Sequence, residues 1–223
     1  MAIPPSGARV PVVETFHSLQ GEGCHAGRSA FFIRLAGCAV GCPWCDTKHS
    51  WPTAVHPQRL LTELVAEVRA AAAAGAGFVV ITGGEPLEHD LEPLCAALDA
   101  TGLPLHLETS GVNALSGRFD WITLSPKAHR PPTAELLARC DELKVVVHSP
   151  ADLDFALAQA AAASARPRTD VSAGLKGHQS QSPLLLLQPG WDCSEGQQLA
   201  VAFVQARPDW RLSLQSHKWL GVR

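Results

Sequence analysis

Several features that would assign this chain to a common class are missing from it. Charge is scarce: 17% of the 223 residues are charged, the formal balance is −3, and there is no basic stripe or acidic tail. Binding of nucleic acid through its phosphates is therefore not indicated, and a small molecule is the better partner. No apolar run reaches the roughly 18 residues that suggest a membrane span. The opening residues, Met1-Ala-Ile-Pro-Pro-Ser-Gly, lack the charged start and apolar stretch of a secretory signal. The seven cysteines are an odd number, so they do not pair into a closed disulfide framework. Together these absences point to a protein of the reducing cytoplasm with no membrane partner.

What is present is concentrated in one run, Leu35-Ala-Gly-Cys-Ala-Val-Gly-Cys-Pro-Trp-Cys-Asp-Thr47, where Cys38, Cys42 and Cys45 stand in C-x3-C-x2-C spacing. Three thiolates on so short a loop suit a 4Fe-4S cluster. A cubane needs four ligands, so three cysteines leave one iron open to a group that is not protein. A structural zinc site usually has a second separated cysteine pair, which is missing here, and a C-x-x-C redox pair would leave Cys38 without a role. Zinc, a redox pair and three unrelated thiols stay open on spacing alone, with the cluster favoured. Cys24, Cys95, Cys140 and Cys193 read as small buried hydrophobes.

Apolar runs alternate with helical patterns along the chain. Strands are expected at 30–35, 78–81, 105–108, 121–124, 143–147, 184–188 and 210–215, and helices over 58–74, 91–100, 152–163 and 195–206. This alternation is the β/α pattern of a parallel sheet. With about six parallel strands, short of the eight that close a full barrel, a partial and open β/α barrel is preferred over a doubly wound sheet. The cluster loop would then lie at the C-terminal ends of the strands, where ligands bind in either fold. The alanine runs at 70–74 and 160–163 need no function, since alanine is the strongest helix former. The polar segment 164–183 reads as an exposed or mobile loop and not as a boundary, so residues 1–223 are expected to form one domain.

The cysteine spacing, with Trp44 just before the last cysteine, resembles the cluster loop of radical S-adenosylmethionine enzymes. The glycine-rich turn Val80-Ile-Thr-Gly-Gly-Glu-Pro86 after the second strand matches that superfamily as well. Gly83 and Gly84 would let backbone approach a ligand closely, and Glu85 would offer acceptors to an ammonium group. Four further segments narrow the likeness: Ser18-Leu-Gln-Gly-Glu-Gly23, Cys45-Asp-Thr-Lys-His49, Ser125-Pro-Lys127 and Gln215-Ser-His-Lys-Trp-Leu-Gly-Val-Arg223. Together they resemble the 7-carboxy-7-deazaguanine synthase family.

That resemblance implies a lyase that converts 6-carboxy-5,6,7,8-tetrahydropterin to 7-carboxy-7-deazaguanine with ring contraction and loss of ammonia, on the route to queuosine-type bases. It implies a 4Fe-4S cluster on Cys38, Cys42 and Cys45, with S-adenosylmethionine chelated at the open iron. One electron then cleaves the sulfonium to methionine and a 5'-deoxyadenosyl radical. The radical takes hydrogen from C6 of the pterin and later recovers it, so that S-adenosylmethionine is regenerated. The match also implies S-adenosylmethionine contacts at Gly84, Ser125, Pro126, Lys127, Gln188 and Pro189, and pterin contacts at Leu19, Gln20, Gly21, Arg34, Thr82 and Arg223. Thr47 matches the position that gives the family its Mg2+ dependence, although a threonine alone would suggest no metal. A homodimer and a flavodoxin-like electron donor are implied too.

Among these residues Arg34 carries an independent argument. It interrupts an apolar strand, where an unpaired charge would be costly, and its planar fork suits a carboxylate. His49, His217 and Lys218 are assigned no acid–base role, although the tail's match suggests that residues up to Arg223 close over the pterin. Two rivals remain. A glycyl-radical activase would share the three-cysteine loop but lack Leu-Gln-Gly-Glu-Gly, and an electron carrier would need a fourth protein ligand and no glycine-rich cofactor turn.

Overall fold

The computed structural model describes residues 7–164 and 182–223. Segment 164–183, read above as a loop, lies outside the described residues except at its ends, as do the first six residues.

Among the described residues seven strands run parallel: β2 (Ser29–Leu35), β4 (Val79–Gly83), β5 (Leu105–Thr109), β6 (Trp121–Leu124), β7 (Glu142–Val147), β8 (Leu184–Pro189) and β9 (Trp210–Leu212). Two more, β1 (Arg9–Leu19) and β3 (Gln58–Leu60), pair antiparallel at one side, giving the order β3-β1-β2-β4-β5-β6-β7-β8-β9. The sheet stays open, with β3 and β9 as its edges. Each of the seven stretches read as strands from the sequence holds one of these, β9 with only three residues of the expected 210–215, so the parallel strands number seven among the described residues where about six were expected. β1 gave no strand signal: Pro11 and a bulge between Val12 and Glu14 break its alternation.

The helices are α1 (Leu61–Ala73), α2 (Glu92–Asp99), α3 (Ala134–Arg139), α4 (Pro150–Ser164), α5 (Ser194–Ala206) and the short α6 (Ser216–Leu220). The helix expected over 58–74 begins later, since Gln58–Leu60 pairs with β1, and the Glu63 carboxylate reaches back to accept from the Leu60 N–H. The buried residues of α1 to α5 join a single core with Ile33, Leu35, Ile81, Leu107, Leu124, Val145 and Leu187. Among the described residues α1 to α5 therefore cover one face, which is the partial-barrel arrangement and not the doubly wound one. A smaller cluster, Ala30, Phe32, Phe78 and Val80 with Phe16 against it, lies apart from that core on the other face.

This one-sidedness positions the site. Side chains alternate across a strand, so burying Ile33 and Leu35 under the helices turns Phe32 and Arg34 to the concave face. By the same alternation Thr82, Glu108, Lys144 and Gln188 face the concave side, and Arg34 and Thr82 are register partners. Among the described residues no helix is long and apolar enough to cross a membrane.

Candidate active site

A cavity of about 450 Å³ opens where the parallel strands end. β2 delivers the cysteine loop, β4 the Gly83-Gly84-Glu85 turn, β5 Glu108, β6 the Ser125-Pro126-Lys127 turn, and β7 Lys144. From the chain ends come Leu19-Gln20-Gly21-Glu22 after β1 and Gln215, His217, Lys218 and Arg223 of the tail. The cavity is lined by all three loop cysteines, Thr47, Gly84, Ser125, Lys127, Gln188, Leu19, Gln20, Gly21, Arg34, Thr82 and Arg223. Of the residues singled out from the sequence, Pro126 and Pro189 do not line it; Pro126 is buried within its turn.

The two glycines of the β4 turn are required by backbone and not by open space. A Cβ on Gly83, at φ +144°, would run into the Leu35 backbone, and one on Gly84 would strike the Gly37 carbonyl and stand 2.9 Å from Cys38 Cβ. Gly84 N–H donates to Leu35 O at 3.0 Å and Glu85 N–H to Gly37 O at 2.7 Å, locking this turn to the cluster loop. Glu85, expected to offer acceptors to a ligand's ammonium, borders the cavity but is 1% exposed. Its carboxylate accepts from Leu87 N–H at 3.2 Å, Thr109 Oγ1 at 2.5 Å, and both the N–H and hydroxyl of Ser110. It clamps the end of β5 beneath the loop.

Three soft thiols on one loop fit the donor set of a cubane, in which each sulfur takes a different iron. They need not converge on a point, and among the described residues no three His, Cys, Asp or Glu side chains do so. Burial raises the Cys38 and Cys42 thiols, Lys127 acting against it at Cys42; a bound metal deprotonates such thiols outright. Lys127 donates from Nζ to Ser125 Oγ at 2.8 Å, and burial lowers its pKa. Among the described residues no carboxylate forms an ion pair with it, which suits an anionic or polar guest. Thr47 Oγ1 stands 3.5 Å from Cys45 Sγ at the same rim.

Opposite the cysteines, the Glu108 carboxylate accepts from Gln20 Nε2 at 2.9 Å and from Thr82 Oγ1 at 3.0 Å. Lys144 forms an ion pair with Glu22, whose other oxygen accepts from Gln215 Nε2 at 2.9 Å. Burial would raise the Glu22 carboxyl, but Lys144 and hydrogen bonds from Lys144, Gln215 and Gln188 outweigh it and bring the pKa to about 2. Gln188 also accepts from Ser213 Oγ at 2.8 Å, and Ser213 accepts from Gly23 N–H at 2.9 Å. These contacts hold the Leu-Gln-Gly-Glu-Gly turn against β8 and the tail.

The tail is fastened at further points. Ser216 N–H donates to Gly21 O at 2.9 Å, with the His217 imidazole filling the space a Gly21 side chain would need, and Lys218 pairs with Asp46 beside the last cysteine at 2.5 Å. Glu108, Lys144, Glu22, Asp46 and Gln215 were not singled out from the sequence. Glu108 and Lys144 did carry a signal, since each is a charge inside an apolar strand, as Arg34 is.

Residues 32–163 match the profile of the Radical SAM superfamily. The chain is 51% identical to the 7-carboxy-7-deazaguanine synthase of Prochlorococcus marinus, over 96% of this chain and 98% of that one. It is 34% identical to the 7-carboxy-7-deazaguanine synthase of Escherichia coli, over 95% and 98%. The chain belongs to the 7-carboxy-7-deazaguanine synthase family. Its fold agrees: the crystal structure of QueE from Escherichia coli superposes with a TM-score of 0.78 at 31% identity, covering 95% of this chain and 96% of that one. Membership of the radical S-adenosylmethionine superfamily implies a 4Fe-4S cluster and S-adenosylmethionine.

Proposed function

We propose that the chain is a 7-carboxy-7-deazaguanine synthase, converting 6-carboxy-5,6,7,8-tetrahydropterin to 7-carboxy-7-deazaguanine with release of ammonia. The observation that carries this reading is convergence: the cysteine loop, the Gly83-Gly84 turn, the Leu19-Gln20-Gly21 turn and the tail, distant in sequence, line one cavity. Residues 1–223 would act as one partial-barrel domain.

In this reading Cys38, Cys42 and Cys45 hold the cluster. Gly84, Ser125 and Lys127 border S-adenosylmethionine, with Pro126 shaping their turn and Gln188 and Pro189 at the end of β8. When bound, cluster and S-adenosylmethionine supply a carbon-centred radical that removes one hydrogen atom from the substrate. The rest is positioning by this chain. Glu108, held by Gln20 and Thr82, presents a carboxylate to the paired N–H groups of a pterin's 2-amino-4-oxo edge, an arrangement that favours two parallel charge-assisted hydrogen bonds. Arg34 takes the substrate carboxylate at the other end of the ring, Leu19 and Gly21 cover the ring, and Arg223 closes the tail side. Thr47 supplies a hydroxyl oxygen to Mg2+, which keeps its remaining positions for water and substrate. A low-potential carrier such as flavodoxin supplies the electron, and the chain acts as a homodimer.

The test is anaerobic reconstitution with iron and sulfide, then incubation with reductant, S-adenosylmethionine, Mg2+ and the carboxytetrahydropterin. Formation of 7-carboxy-7-deazaguanine supports the assignment. Deoxyadenosine formed only in the presence of a partner protein, with no deazapurine, contradicts it.

A further inference from the structure

We infer that Glu14 is a positioning residue: it aims the Arg34 guanidinium at the substrate carboxylate and couples that aim to closure of the tail. The inference rests on the pterin reading above and adds to it a residue that would touch no substrate atom.

Glu14 and Arg34 are register partners on β1 and β2, next to the bulge that shifts the register between Val12 and Glu14. One Glu14 oxygen accepts from Arg34 Nε at 3.0 Å, and the other meets Arg223 Nη2 at 2.8 Å. Both guanidiniums also lie over the ring of Phe16, at 5.8 Å for Arg34 and 5.6 Å for Arg223. That ring is itself stacked on Phe32 at 4.8 Å. A ring and a carboxylate together fix the plane of Arg34, which neither would do alone.

The choice of nitrogen matters. With Nε engaged by Glu14, the two terminal nitrogens of Arg34 have no hydrogen-bond partner among the described residues, and Arg34 borders the cavity. They form the end-on fork that accepts a carboxylate through two hydrogen bonds. Without Glu14, Arg34 and Arg223 would repel each other, and the tail's last residue would keep only weaker contacts to β1 among the described residues, the Phe16 ring under its guanidinium and Ser18 Oγ, which donates to Arg223 O at 2.5 Å.

A purely structural clamp between β1 and the tail would affect every ligand alike, whereas an aiming role affects only ligands bearing the carboxylate. Reconstituted holoenzyme with S-adenosylmethionine bound is therefore titrated with pterin-6-carboxylate and with pterin, for the wild type, Glu14→Gln and Glu14→Asp. The expected result is that Glu14→Gln weakens the carboxylate ligand by roughly tenfold or more while shifting pterin by less than about threefold. Glu14→Asp, which keeps the charge but shortens its reach, should fall between, and it serves as the test if Glu14→Gln loses its cluster. In turnover, KM should rise more than kcat falls. Equal weakening of both ligands, or a wild-type preference in both variants, overturns the role of Glu14 alone. A wild-type enzyme with no preference between the two ligands removes the pterin reading and this inference with it.

Discussion

Lys144 and Glu22 form an ion pair in the cavity wall, with the lysine side chain only 5% exposed. Burial would lower the Lys144 pKa, but Glu22, Glu108 and Glu142 outweigh it and raise it. Each partner thus keeps the other ionised in a place where a lone charge is expensive. Glu22→Gln should cost about 3 kcal/mol, because it removes the one carboxylate in contact with a buried ammonium and leaves it only the more distant Glu108 and Glu142. The double change Glu22→Gln with Lys144→Met should recover much of that loss. Chemical denaturation of the three variants beside wild type measures both.

The pair also sets an acid limit. Glu22 is depressed in the folded state to about 2, from an ordinary 4.5. Its contribution is therefore complete above pH 4.5 and declines as pH falls toward 2. Two histidines begin the decline earlier. His25 is lowered to about 4 by burial and by Arg28, and His106 to about 3 by burial, His25 and Arg28. His106 stacks on Phe78 at 4.3 Å, and His25 packs edge-on to Trp121 at 4.6 Å. A histidine that stays neutral when folded but binds a proton when unfolded loses stability as pH drops below 6.5. Melting temperature should fall between pH 6.5 and 4, and His106→Phe should flatten that slope; an unchanged slope would exclude His106 as its source.

Much of this architecture is legible in the residues, and the failures have physical causes. Strands such as Val79–Gly83 and Glu142–Val147 announce themselves because both faces are largely buried, giving apolar runs bounded by turns. β1 does not, since it carries a proline, a bulge and a face that holds Glu14 and Phe16 toward the cavity. The cysteine spacing singles out a loop whose three thiols do line the cavity. The ligand-side charges are harder: Glu22 and Asp46 stand in polar turns where any carboxylate looks solvated, and only the folded tail, bringing Gln215 and Lys218 to them, gives them partners. The Gly83-Gly84 pair was recognisable, but its reason was not. The backbone of the cluster loop occupies the space that a side chain would need.

That reason makes a prediction at Gly84. An added methyl must displace the Gly37 carbonyl and Cys38 Cβ, and overpacking of this kind costs about 1–3 kcal/mol where the neighbour is backbone. Because the neighbour is Cys38, a cluster ligand in the proposed reading, Gly84→Ala should lower bound iron and the cluster's visible absorbance after reconstitution, before any effect on the overall fold. Full iron content with normal turnover would show that the loop yields without consequence.

At Thr47 the expected signature is metal dependence. If its hydroxyl serves Mg2+, removing the metal with a chelator should depress wild-type turnover, and restoring it should rescue the enzyme. Thr47→Ala should be slow with or without the metal, with a response to added Mg2+ smaller than wild type by roughly tenfold or more. Equal stimulation of both proteins would move the metal elsewhere.

The most direct measurement follows the hydrogen atom at C6 of the substrate. Wild-type holoenzyme is incubated anaerobically with reductant, Mg2+, unlabelled S-adenosylmethionine and 6-carboxytetrahydropterin deuterated at C6, and both product and cofactor are analysed by mass spectrometry. We expect 7-carboxy-7-deazaguanine to accumulate beyond the amount of S-adenosylmethionine consumed, with deuterium appearing in recovered S-adenosylmethionine at its 5' carbon. Stoichiometric loss of S-adenosylmethionine, or product formed with no deuterium in the cofactor, would contradict a recycled cofactor at the open iron of the Cys38, Cys42 and Cys45 cluster.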